Sequence, residues 1–171
     1  MSDSGAGVLD EARRTWFDTL AATAGGVAEN CTQAAWQACM ADGAVDVLRP
    51  TEAALVLGTA SHALDYDDVC MLATCHPSAP PVAALLALLP VLEQQRRGLQ
   101  LKDFLAAYLL GTETTLRLGQ WLDFRHYGLG FHATGTLGVV GAAAACAHAL
   151  GLPRARAHAA LAIAASSASG L

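Results

Sequence analysis

Gly135-Thr136-Leu137-Gly138-Val139-Val140-Gly141-Ala142-Ala143-Ala144-Ala145-Cys146-Ala147-His148-Ala149 decides how the chain folds. The run shows no period-two alternation and is built almost wholly from Gly, Ala, Val and Cys. As a helix it offers small side chains on most faces, so neighbouring backbones can approach it closely. Such a helix belongs at the centre of a helical domain. A membrane span is the competing reading, because residues 126–153 contain no Asp, Glu, Lys or Arg and are long enough to cross a bilayer. Six glycines, with His132 and His148, interrupt that run. Burial among other helices of the same protein is therefore the expectation, with no membrane partner.

Outward from this centre the chain reads as about seven helices and no strand. Residues 1–7 have the composition of a disordered lead-in. Leu9, Ala12, Trp16, Phe17 and Leu20 recur at helical spacing over 8–24, and Gly25-Gly26 ends that helix. A short helix over 31–41 is broken by Gly43. Thr51 is placed to cap a third helix, with Glu52 in its first turn, running to about Leu64. The fourth runs from Ser78 to about Gln95; Pro80 and Pro81 suit its first turn, and Pro90 should kink or shorten it. Arg96-Arg97-Gly98 turns the chain into a fifth helix over 101–121. Gly151 ends the small-residue helix and Pro153 opens the last one. That last helix carries no charge after His158, so its cover is expected from another subunit or a longer parent chain.

The 171 residues form one domain, 8–171, after the lead-in. Charged residues are 15% of the chain and the net charge is -5, which speaks against a nucleic-acid surface. The five cysteines are odd in number and show no CxxC spacing, which disfavours a disulfide framework or zinc ribbon and fits a reduced, cytoplasmic protein. The polar, acidic N-terminus does not resemble a secretory signal.

Two polar stretches break the apolar pattern. The first is His62-Ala63-Leu64-Asp65-Tyr66-Asp67-Asp68, followed by His76-Pro77-Ser78. Three carboxylates near a helix C-terminus oppose its dipole and need a compensating or functional reason. His62 lies three residues before Asp65 and can hydrogen-bond to it, although a satisfied helix histidine is the simpler reading. His76 is held extended by Pro77, just ahead of a helix N-terminus that can receive an anion. The second stretch, Asp123 to Thr134, ends in Gly128-Leu129-Gly130-Phe131-His132-Ala133-Thr134-Gly135-Thr136. Glycines, an imidazole and two hydroxyls before a helix resemble an anion cradle, though neither a Walker loop nor a Rossmann fingerprint is present. His126 is expected to be exposed, and His148 and His158 to be structural. Cys70 and Cys75 read as buried thiols. A divalent metal on His62, the aspartates and His76 is chemically conceivable, but no spacing fixes one and none is expected.

Together, residues 62–68, 76–78, Gly130-Phe131-His132-Ala133-Thr134-Gly135-Thr136, the helix 138–150 and Ala165-Ser166-Ser167-Ala168-Ser169-Gly170-Leu171 resemble the MmgE/PrpD family. That family includes 2-methylcitrate dehydratase, cis-aconitate decarboxylase and iminodisuccinate epimerase. The resemblance implies an all-α domain and cofactor-free, metal-independent chemistry on small di- or tricarboxylates. By motif position it implies Asp65, His76 and His132 as catalytic residues, and Asp68, Ser78, Gly130, Thr134 and Thr136 as substrate contacts. Val69 replaces the family's hydroxyl residue after the acidic triplet. The family's active-site lysines and its α+β lid have no counterpart in these residues, and Lys102, on a charged helix face, does not substitute for them. The expected protein is thus one part of a lyase or isomerase, working as a homo-oligomer or with a chain carrying the remaining half. The alternative is a non-catalytic helical assembly partner.

Overall fold

A computed structural model describes residues 3–40, 48–95 and 100–169. The expected break at Gly43, the turn at Arg96-Arg97-Gly98 and the final Gly170-Leu171 lie outside the described residues. The elements are α1 (Asp3–Gly26), α2 (Asn30–Met40), α3 (Pro50–His62), α4 (Ala79–Gln94), α5 (Leu101–Gly128), α6 (Ala133–Ala149) and α7 (Arg154–Ser167). Among the described residues the only β feature is an isolated antiparallel bridge between Cys70 and Cys75. The protein is all-α, as its hydrophobic periodicity predicts. No described helix is long and apolar enough to cross a membrane.

The small-residue helix α6 sits at the centre, packed against α5, α4 and α7. A Cβ added to Gly141 would lie 2.1 Å from Thr115 Oγ1 and 2.6 Å from the Gly111 carbonyl oxygen. One added to Gly138 would lie 2.5 Å from Pro80 Cγ. Both distances are below contact, so α6 approaches α5 and α4 at a separation only glycine allows. The core beside it joins Trp16 of α1, Val82, Leu85 and Leu92 of α4, and Phe104, Leu105 and Tyr108 of α5. Burying each of these large apolar side chains contributes roughly 1.5–3 kcal/mol. Trp16 meets Phe104 and Tyr108 edge-on, with ring centres 4.7 Å and 5.5 Å apart, an arrangement the ring quadrupoles favour.

Several boundaries depart from the sequence reading. Helix α1 begins at Asp3, so it takes in residues 3–7, where composition predicts a disordered lead-in, and it continues through Gly25. The start of α3 falls at Pro50. Arg49, not Thr51, precedes it, and the Arg49 N–H donates to Glu52 Oε2 at 2.8 Å. Helix α4, by contrast, runs through Pro90 to Gln94, within one residue of the expected end. Helix α5 passes Trp121 and reaches Gly128 across a break at Asp123 (φ 56°, ψ -176°). The second polar stretch is therefore a short helical turn and a tight link, not an extended loop.

Candidate functional site

Helix α3 ends at His62, and the chain reverses at once. The Asp65 N–H donates to the His62 carbonyl at 3.3 Å. Asp65 adopts φ 56°, a left-handed conformation that Asp tolerates better than most residues. This reversal turns Asp67 inward, where its carboxylate is fully buried. It lies 2.9 Å (Oδ1) and 3.1 Å (Oδ2) from His62 Nδ1. The predicted partner of His62, Asp65, faces His76 instead.

The six residues from Cys70 to Cys75 form a small closed hairpin. Cys70 N–H donates to Cys75 O at 2.9 Å, and Cys75 N–H to Cys70 O at 3.3 Å. Its last corner is Thr74 at φ 48°, an unfavourable conformation for a β-branched residue and a local store of strain. The hairpin delivers His76 to the second polar stretch: His76 N–H donates to Thr134 Oγ1 at 2.9 Å. That bond joins segments 58 residues apart. His76 Nε2 lies 3.5 Å from Asp65 Oδ1 and its Nδ1 3.4 Å from Asp67 Oδ2. These are ion-pair distances, and the buried Nδ1 lacks hydrogen-bond geometry to any described residue.

His132 directly precedes the first residue of α6. Its ring centre lies 6.3 Å from that of His62, and the His62 and His76 rings meet edge-on at 4.5 Å. Next to them opens a cavity of about 710 Å³, walled by Leu55, Gly58, Thr59 and His62 of α3, Ala79, Pro80 and Ala83 of α4, and His132, Thr134, Gly135 and Val139. The unpaired N–H groups of α6's first turn give this end a positive partial charge, which favours an anion. The lining residues include no Lys or Arg, and Lys102 is exposed on α5.

Of the sequence-predicted catalytic residues, Asp65, His76 and His132 come into one neighbourhood, but only His132 lines the cavity. Thr134 also lines it, with its hydroxyl engaged by His76. Asp68 and Ser78 face a second cavity of about 440 Å³ shared with Glu11, Thr15 and Tyr108. There Ser78 Oγ lies 2.6 Å from Asp68 Oδ2 and 2.5 Å from the Tyr108 hydroxyl, which lies 2.9 Å from Thr15 Oγ1. Burial raises the Asp68 carboxyl and the Tyr108 phenol above their ordinary values. Thr136 Oγ1 holds His126 Nε2 at 2.7 Å. His126 is half-buried, stacked on Phe131 with ring centres 5.0 Å apart, and not exposed as expected. Gly130, at φ 91°, makes the turn between α5 and α6. Val69 is exposed at the surface. Cys75 is buried, and burial pushes its thiol up to about 12, so it is no nucleophile at neutral pH.

Sequence reasoning passed over His62 as a satisfied helix histidine and did not separate Asp67 from its acidic neighbours. The available signal was the His62-to-Asp67 spacing across a helix end, which lets the chain fold back on its last turn. His62, Asp65, Asp67 and His76 each bring a ligand atom within 4.8 Å of the others. Nitrogen and carboxylate donors of this kind can hold zinc or manganese. The His62–Asp67 hydrogen bond satisfies two of the four without a metal.

The profile of the MmgE/PrpD N-terminal domain matches residues 1–171. The chain is 38% identical over 123 residues to cis-aconitate decarboxylase of Mus musculus, covering 70% of this chain and 24% of that protein. It is 38% identical over 120 residues to cis-aconitate decarboxylase of Homo sapiens, with the same 70% and 24% coverage. The matched segment thus spans about a quarter of each relative's length. An all-α fold centred on a glycine-spaced helix, with His62, His76 and His132 gathered at its start, agrees with that match: the chain belongs to the MmgE/PrpD family.

Proposed function

We propose that the chain supplies the imidazole-bearing part of a lyase or isomerase site for a small di- or tricarboxylate. The observation that carries this reading is the clustering of His62, His76 and His132 at a cavity that receives the α6 N-terminus. The helix end favours a carboxylate, and an imidazole beside it can move a proton at the adjacent carbon. His132 and His76 are the proton-moving groups, with Asp65 orienting His76 across 3.5 Å. The reaction is a dehydration, decarboxylation or epimerisation. The cis-aconitate decarboxylase relatives favour decarboxylation of a tricarboxylate.

The cations that neutralise the substrate's carboxylates come from outside this cavity wall, on another chain or another part of a longer one. The proposed proton transfer uses neither metal nor organic cofactor, and a cytoplasmic setting suits the five unpaired cysteines. Carbon dioxide release from cis-aconitate tests the reading, with His132→Gln and His76→Gln as comparisons. Each substitution should lower kcat by about 10²–10⁴-fold. Turnover by the 171-residue chain alone would refute the divided site. Unchanged turnover in both variants, within the assembled protein, would leave the chain a helical assembly partner.

A further inference from the structure

We infer that His62 is a catalytic imidazole of this cavity and that Asp67 is the positioning residue that holds it. The inference rests on the proposed carboxylate site and adds to it a second imidazole that lines the cavity. His62 lines the cavity with His132, whereas His76 and Asp65 do not. Asp67 is the most deeply buried carboxylate around the site, its side chain wholly inaccessible. A carboxylate taken out of water must be compensated by donors. Its close donor is His62 Nδ1, reached by both oxygens at 2.9 Å and 3.1 Å, and His76 Nδ1 stands 3.4 Å away.

A carboxylate only accepts, so the proton of a neutral His62 must sit on Nδ1. The lone pair is then on Nε2, the nitrogen free to serve the cavity. The same carboxylate stabilises the imidazolium when Nε2 gains a proton, as in other His–Asp pairs. The backbone supports this assignment. Asp65 in the left-handed conformation makes the reversal that brings Asp67 back under the last turn of α3. The left-handed turn at Asp65 thus serves the pair.

The step balances without a further reactant. When a substrate carboxylate leaves as carbon dioxide, the C–C bond breaks and its electron pair stays on carbon. That carbon takes the proton from Nε2 of the His62 imidazolium. His62 returns to the neutral Nδ1–H form, and a solvent hydronium ion reaching the open cavity restores the imidazolium, so each turnover consumes one proton and releases one carbon dioxide. His132, with its ring centre 6.3 Å from that of His62, lines the same cavity.

The test reads the imidazoles directly in the unaltered protein, within its active assembly. Long-range ¹H–¹⁵N correlation spectra report the tautomer of each histidine, and titration with cis-aconitate, against acetate as control, reports which rings meet the ligand. The expected result is His62 as the Nδ1–H tautomer, with His62 and His132 resonances both shifting saturably with cis-aconitate. In the active assembly, Asp67→Asn should lower kcat about 10²–10⁴-fold at little changed KM, with partial recovery in Asp67→Glu. A His62 in the Nε2–H form, or His62 signals unmoved while those of His132 shift, overturns the pair and leaves the carboxylate site standing. No shift in any of the three rings overturns the site itself. Because the spectra use the unmodified protein, a variant that fails to fold does not remove the test.

Discussion

Asp68 closes a row of hydroxyls that runs through Ser78 and Tyr108 to Thr15. Burial raises its carboxyl, which means the folded protein holds that proton more tightly than the unfolded chain does. The native state then binds more protons through that window, so stability contributed by Asp68 is fully present below the ordinary carboxylate range and falls as pH rises through the raised value. Asp68→Asn, neutral at any pH, should flatten this limb in denaturant midpoints measured between acid and neutral pH. Cys75 obeys the same sign at the alkaline end. Its thiol is pushed up to about 12, so stability should fall as pH rises from the ordinary thiol range of ~8.5 toward that value. Cys75→Ala should remove part of that alkaline loss, read as thermal midpoint against pH. Tyr108→Phe removes a buried hydroxyl between two partners and should cost about 1–3 kcal/mol, measured by urea unfolding.

Helix α6 derives its place from what its side chains lack. Gly141 sits against Thr115 and the Gly111 carbonyl, where an added methyl would overlap both. Gly141→Ala should therefore destabilise by about 1–3 kcal/mol or abolish folding, seen in the thermal midpoint. This role was legible in the sequence, because a run of Gly, Ala and Val without alternation admits little except a tightly surrounded helix. The fold class and the places of all seven helices follow from the same reading, apart from the start of α1 and the end of α5. What was not legible lies at the ends of elements. The polar run from Asp123 marks the break in α5 but not that the helix resumes beyond it to Gly128, and α1 starts at Asp3, where composition suggests a lead-in. The site was legible in part. Motifs located His76 and His132, but the importance of His62 depends on a backbone reversal at Asp65 that composition does not encode. Asp68 and Ser78, named by motif position, face the second cavity and bond each other and Tyr108.

At the scale of the molecule, the site forms where the N-termini of α4 and α6 meet the C-terminus of α3. The bond from His76 N–H to Thr134 Oγ1 ties these ends together. Thr134→Val should loosen that tie, raising KM for a carboxylate substrate several-fold while leaving the helical circular dichroism unchanged. Dialysis against a chelator should leave turnover intact, since the His62–Asp67 pair is complete as a hydrogen bond. Loss of turnover that zinc or manganese restores would instead assign the four-residue cluster to a metal.

The glycine crossing of α6 has a further result for how such a protein can change over generations. One wall of the cavity is clamped to α5 and α4 and cannot yield without unfolding. The facing wall, on α3, has slack: a methyl group at Gly58 would rest 3.7 Å from Ala83 Cβ, an ordinary contact. A change in cavity size is therefore open at Gly58 and closed at Gly138 and Gly141. Gly58→Ala should narrow the accepted range of acids at an unaltered melting temperature.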